Sequence, residues 1–221
     1  MTALAMVFAT ISIGESREDL GVPGPQGLVV CVSAPACDAG AAILARGGNA
    51  VDGAVATAFA LAVTHPAAGN IGGGGFMIVR TPSGEVMAFD YRERAPLKST
   101  PTMYLGQDGN IDGSLTRAGY LAPGVPGSVR GLEAAHKKFG KLPWRDVVMP
   151  GVILAEQGFA ISQSLARSLN SELPRMAKFP ASVAAYGKPS GGEWVAGDRI
   201  VLTDLGRTLR AIASEIGRAH V

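Results

Sequence analysis

Four consecutive glycines, Gly72 to Gly75, sit inside the run Asn70-Ile71-Gly72-Gly73-Gly74-Gly75-Phe76-Met77 and constrain this chain more than any other stretch. Having no side chains, they serve only backbone geometry: a left-handed conformation, or the close approach of another backbone or a ligand. Upstream lies a small-residue helical pattern, Ala36 to Pro66. Downstream the alternation predicts a hairpin, Phe76–Arg80 and Glu85–Asp90, that runs into Asp90-Tyr91-Arg92-Glu93-Arg94-Ala95-Pro96. Chemistry is therefore sought at this crossing. A phosphate cradle is disfavoured, because such loops follow a strand and open a helix. Here a helix precedes and a strand follows, and no Lys-Ser/Thr pair comes after the glycines as in a P-loop. Backbone packing beside a site built from elsewhere is the stronger reading of Asn70 and Gly72 to Gly75.

The rest of the chain reads as alternating strand and helix, an α/β (α+β) pattern. Gly27 to Ser33 is a short β-branched run that suits a buried strand. Pro35 opens a helix stopped by Gly47-Gly48. Asn49 is an N-cap for a second helix, Ala50 to Val63, apolar nearly all round and so interior. Pro66 ends it near His65. Thr81 to Gly84 and Gln107 to Asn110 are turns by their residue chemistry. Helices are expected over Ser128–Phe139, from a start at Leu142-Pro143-Trp144 to about Gln157, over Ser162–Ser171, and from Thr203 or Asp204 through Ala213. Residues 172–202 read as mostly irregular, and Ser16–Gln26 as a polar linker.

The chain has 221 residues, 47% of them hydrophobic and 17% charged, which marks a globular rather than a disordered protein and allows a real core. A net charge of +2 with scattered cations argues against nucleic-acid binding. Cys31 and Cys37 lie six positions apart, neither a zinc pattern nor a CxxC motif. A disulfide fits them, but two buried thiols are the favoured reading. His65, His136 and His220 show no ligand spacing, so neither a metal nor a cofactor is expected. No nucleophile declares itself: there is no GxSxG, and neither cysteine lies near a histidine in sequence.

In the charged cluster, strand alternation puts Asp90, Arg92 and Arg94 on one face and Tyr91 and Glu93 on the other. An arginine beside a glycine-lined surface can grip a carboxylate through its two-pronged fork. A solvated strand end with ordinary ion pairs fits the same residues equally well.

At these residues the sequence resembles the γ-glutamyltranspeptidase (glutathione hydrolase) family. The resemblance is carried in order by Ser33-Ala34-Pro35, Ala42 to Asp52, Gly69 to Met77, Asp90 to Pro96, Gly124 to Val129 with Gly131, and later Pro150, Ala155 to Gly158 and Gly197-Asp198. It implies part of the αββα sandwich of an N-terminal nucleophile hydrolase. It also implies a precursor that cleaves itself into large and small subunits, with the small subunit's new N-terminal threonine as nucleophile. The substrates implied are glutathione or other γ-glutamyl compounds, with water or an acceptor amino acid or peptide taking the glutamyl group. Arg92 matches the residue that pairs with the glutamyl α-carboxylate, and Glu93 a neighbouring acidic residue with a weaker claim. No catalytic residue is expected in this chain, because the threonine block belongs to the small subunit.

The expected organisation is an apolar segment and linker over 1–26, the N-terminal part of a large subunit over 27–214, and a non-native tail over 215–221. The apolar run Met1 to Gly14 is too short to span a bilayer and resembles a trimmed export signal or anchor, so a periplasmic or extracellular location is expected. The last residues, Glu215 to Val221, back-translate to a string like a sequencing adapter. An ordinary helix end with Gly217 as C-cap is the alternative. Two further functions stay open: a cephalosporin-acylase-like amidohydrolase on the same scaffold, and a non-catalytic binding relative.

Overall fold

A computed structural model describes residues 21–24 and 27–214. The apolar segment Met1 to Gly14 and the tail at 215–221 lie outside the described residues. Among those residues the strands form three two-stranded antiparallel sheets, set among helices. The described residues start with β1 (Gly21–Gly24) paired to β2 (Gly27–Val30), Gly21 opposite Val30 and Gly24 opposite Gly27. Part of the stretch expected as linker is thus an edge strand, a place where Pro23 is tolerated because its missing N–H costs no central ladder bond. β2 also departs from the buried strand expected. Leu28, Val30 and Val32 are 62%, 68% and 62% exposed, because a two-stranded ribbon lays only one face on its neighbours.

Helix α1 (Ala34–Ala45) carries Pro35 in its first turn, and Gly47 takes a left-handed φ of 90° just past its end. Side chains on a helix lean towards its N-terminus, so Cys37 points back at Cys31. The two are joined in a disulfide with Cα atoms 5.7 Å apart. The expectation of two free thiols was wrong for that reason: spacing of six suits a strand end followed by one helical turn.

Helix α2 (Ala50–Thr64) starts and stops where Asn49 and Pro66 dictate, with His65 at its C-terminal end. Val55, Ala56, Phe59 and Ala60 on it have no exposed surface. Then β3 (Phe76–Arg80) and β4 (Val86–Asp90) make the hairpin, Phe76 opposite Asp90 and Arg80 opposite Val86. Its inner face lays Met77, Val79 and Phe89 on the core. The short α3 (Gly113–Arg117) lies in an otherwise loop-rich stretch. It is followed by α4 (Ser128–Phe139) and α5 (Trp144–Gln157). β5 (Phe159–Ala160), α6 (Gln163–Met176), α7 (Pro180–Tyr186), β6 (Arg199–Ile200) and α8 (Thr203–Ser214) complete the described residues.

The core lies where α2, α5 and α8 meet, through Phe59, Val147, Val148, Val152 and Leu209. Trp144 sets its ring edge-on to Phe59 at 5.5 Å and donates its indole N–H to the Ile212 carbonyl at 2.9 Å. Residues 172–202 are more ordered than their composition suggests. Buried Trp194 donates to the Tyr186 carbonyl and exchanges two hydrogen bonds with the Asn170 side chain, which fixes the chain between α7 and β6.

One buried carboxylate ties these layers together. Asp52 has no exposed surface. It accepts the Asn49 N–H at 2.9 Å, the Lys141 N–H at 3.0 Å and the Leu142 N–H at 3.3 Å. Asn49 completes a capping box by accepting from Val51 and Asp52, and its amide donates to the Phe139 carbonyl at 2.6 Å. The start of α2 is thereby joined to the end of α4 and the α4–α5 turn. Asp52→Ala leaves the backbone donors of Asn49, Lys141 and Leu142 without their shared acceptor and opens a gap in the interior. Denaturant titration is expected to show a loss of about 3 kcal/mol or more; a loss below about 1 kcal/mol would contradict this account.

Candidate functional site

The glycine run meets the start of α4. The Gly73 carbonyl accepts the N–H groups of Gly127 at 2.8 Å and Ser128 at 3.0 Å, satisfying first-turn donors that Gly127 has no side chain to cap. None of Gly72 to Gly75 has a positive φ. The run therefore serves close approach rather than left-handed backbone.

What approaches is the segment after β4. Tyr91 continues the ladder, donating its N–H to the Gly75 carbonyl at 3.1 Å. A Cβ on Gly74 would lie 2.6 Å from the Tyr91 carbonyl oxygen and 2.8 Å from the Arg92 Cα. From the opposite side, a Cβ on Gly127 would fall 2.0 Å from that same carbonyl oxygen, and one on Gly131 2.0 Å from the Tyr91 ring. Two glycine-bearing segments thus clasp residues 91 and 92 between them. Burial pushes the Tyr91 phenol above its ordinary value, so it remains a neutral donor, directed at the Phe76 carbonyl at 3.3 Å.

Clasped at Tyr91, the segment leaves Asp90, Arg92, Glu93 and Arg94 exposed to solvent. The Asp90 carboxylate accepts the Arg92 backbone N–H at 3.0 Å, bracing that turn. Arg94 and Val125 exchange backbone hydrogen bonds at 3.2 and 2.7 Å. Between this segment and the first turns of α4 runs an open groove of about 310 Å³, lined by Asp90, Tyr91, Arg92, Arg94 and Arg130 among others. Arg130 is paired with Glu133 at 2.7 Å. Such a groove, with guanidinium forks on a fixed backbone and a helix N-terminus behind them, can hold a carboxylate.

Of the residues singled out from sequence, Arg92 lines the groove. Glu93 does not, and its Cβ faces Gly124 instead. Gly73, Gly74 and Gly75 lie behind the groove as packing surface. The Asn70 side chain folds over Gly73 and donates to the Ala68 carbonyl at 3.1 Å, while Gly72 borders open space. Sequence reasoning passed over Tyr91 and Arg130. The signal for Tyr91 was available in Gly127 and Gly131, four apart on one helical face. Among the described residues no group of His, Cys, Asp or Glu is arranged to hold a metal ion.

The glycines are thus not equivalent. Gly131→Ala is expected to lower stability by about 1–3 kcal/mol by driving Tyr91 off α4, whereas Gly72→Ala stays within about 0.5 kcal/mol of the parent. Thermal unfolding of the two variants checks this, and equal effects would refute the clasp.

The family model for gamma-glutamyltranspeptidase matches residues 36–219. The glutathione hydrolase proenzyme of Pseudomonas sp. (strain A14) is 41% identical over 194 residues, covering 88% of this chain and 34% of that protein. The Helicobacter pylori gamma-glutamyltranspeptidase crystal structure superposes with a TM-score of 0.83 at 44% identity, over 87% of this chain and 55% of that one. Cephalosporin acylase from Bacillus halodurans superposes with a TM-score of 0.80 at 27% identity, over 94% of this chain and 39% of that one. The mixed helix-and-strand fold is therefore that of the N-terminal nucleophile hydrolases. The chain spans about a third of the length of the curated relatives it matches. With the family model spanning most of its length, this chain belongs to the gamma-glutamyltranspeptidase family.

Proposed function

We propose that this chain is the glutamyl-gripping part of a γ-glutamyltransferase and glutathione hydrolase, completed by a small subunit from the same precursor. The observation that carries this is Arg92, held by its backbone in an open groove, its guanidinium without a carboxylate partner among the described residues. Arg92 takes the α-carboxylate of a γ-glutamyl donor such as glutathione. Glu93, beyond the groove wall, has a supporting role. The nucleophile is the N-terminal threonine of the small subunit, freed by self-cleavage of the precursor. Its α-amine takes the hydroxyl proton as Oγ attacks the γ-carbonyl carbon. The C–N bond breaks, and the leaving amine departs with that proton. Water then hydrolyses the glutamyl ester to glutamate, or the amine of an acceptor amino acid or peptide takes the acyl group as a new γ-glutamyl amide. Residues 1–221 alone supply the grip and no turnover.

The outer face of the β3–β4 hairpin supports a partner chain: Phe76, Ile78 and Val86 are 64%, 75% and 62% exposed, and such apolar patches mark interaction surfaces. The alternative of a cephalosporin-acylase-like amidohydrolase draws on the shared fold, but the sequence is closer to the glutathione hydrolases. In the mature two-subunit protein, Arg92→Gln is expected to raise the KM for glutathione roughly tenfold to a hundredfold. Arg92→Lys should recover only part of this, since an ammonium cannot reproduce the fork. An unchanged KM in Arg92→Gln would sink the assignment.

The location we propose is periplasmic or extracellular. The Cys31–Cys37 disulfide suits an oxidising compartment, and no described helix is long and apolar enough to cross a membrane. Fractionation of cells making the precursor, with mass spectrometry of the peptide spanning Cys31 and Cys37, should find it exported and bridged. Recovery in the cytoplasm with reduced thiols would overturn this.

A further inference from the structure

We propose that Tyr91 is the positioning residue of the glutamyl grip: its ring and carbonyl, locked between four glycines, fix the backbone from which Arg92 reaches the donor, so that donor affinity is set from α4. The inference rests on the reading of Arg92 as the α-carboxylate grip. Two glycine-bearing segments leave room for this one residue. The Tyr91 carbonyl oxygen lies between Gly74 and Gly127, where added Cβ atoms would stand 2.6 and 2.0 Å from it. The ring lies between Gly75 and Gly131, where they would stand 2.9 Å from Cε2 and 2.0 Å from Cγ. A methyl group at any of the four would have to displace Tyr91.

Arg92 depends on that support. Before it, Tyr91 and Gly75 exchange backbone hydrogen bonds at 3.1 and 3.4 Å, and after it Arg94 and Val125 do so at 3.2 and 2.7 Å. Between these anchors the Arg92 N–H is given to the exposed Asp90 carboxylate at 3.0 Å. Without the Tyr91 ring, the notch over Gly131 is empty and the anchor nearest Arg92 slackens. A guanidinium fork meets both carboxylate oxygens in one plane, so a small shift of its root loses one of the two bonds. That loss falls equally on bound substrate and transition state, and it therefore appears in KM rather than in kcat.

The test uses the mature two-subunit enzyme with glutathione as donor and glycylglycine as acceptor. Tyr91→Ala is expected to raise the donor KM roughly tenfold, while kcat and the acceptor KM stay within about threefold of wild type. Tyr91→Phe keeps the ring and gives up only the 3.3 Å hydrogen bond to the Phe76 carbonyl. It should bring the donor KM back to within about threefold of wild type. Partial unfolding would do the reverse, lowering kcat through the active fraction and leaving the donor KM in place. Gly131→Ala pushes on the same ring from α4 and should raise the donor KM likewise; where Tyr91→Ala fails to fold, this variant decides. The double variant should be no worse than the worse single one, since both remove one contact. If Arg92→Gln leaves the donor KM unchanged, the grip reading itself fails. If Arg92→Gln raises it while Tyr91→Ala and Gly131→Ala leave it within about twofold of wild type, the positioning role is overturned and the grip stands.

Discussion

The Asp52 carboxylate is the joint on which the remaining architecture depends. A charge without exposed surface is tolerated only where its lone pairs are used, and Asp52 spends them on backbone donors from the start of α2 and the α4–α5 turn. His136 lies against the same carboxylate, its Nε2 3.2 Å from Asp52 Oδ1. Asn49 works from the same end, capping α2 with its carbonyl and closing α4 with its amide. The interior helix and the helix that backs the groove are therefore set relative to each other by hydrogen bonds, and apolar packing fills in around them.

Helix α4 then acts as a strut. Its C-terminal end is tied to the Asp52 network, and its N-terminal end takes the Gly73 carbonyl. Along one side, Gly127 and Gly131 receive Tyr91. The arginines of the groove are consequently positioned by contacts made one residue away, on the buried face of the same segment. Ordering a rotamer-rich side chain on binding has an entropic cost. Ordering its backbone as well would cost more, and that part is already done.

Much of this was legible from residue chemistry. The limits of α2 follow from Asn49 and Pro66, the hairpin from its alternation about Thr81 to Gly84, and α4 from its amphipathic pattern. These are local rules, and local rules hold where neighbours in sequence decide. The failures were tertiary. Gly27 to Ser33 looked buried because β-branched runs usually are, yet burial depends on what pairs with the strand. Cys31 and Cys37 meet only because a helix begins at Ala34. Residues 172–202 looked irregular because prolines and glycines (Pro174, Pro180, Gly187, Pro189, Gly191, Gly192, Gly197) interrupt them throughout; Trp194 outweighs these by filling a core position.

The glycine run shows the same division at the site. Sequence marks four positions that lack a Cβ without saying which need to lack one. The structure separates them: Gly74 and Gly75 face Tyr91 and its backbone, Gly73 faces Asn70, and Gly72 faces nothing within 4 Å. The partner that gives the run its meaning, Tyr91, is embedded in a charged cluster where the arginines draw attention first. Its role emerges from pairing two sparse patterns, glycines in a loop and glycines on a helix, that only the fold brings together. The arginines stand exposed on a segment that is held in place because the tyrosine just before them is clasped.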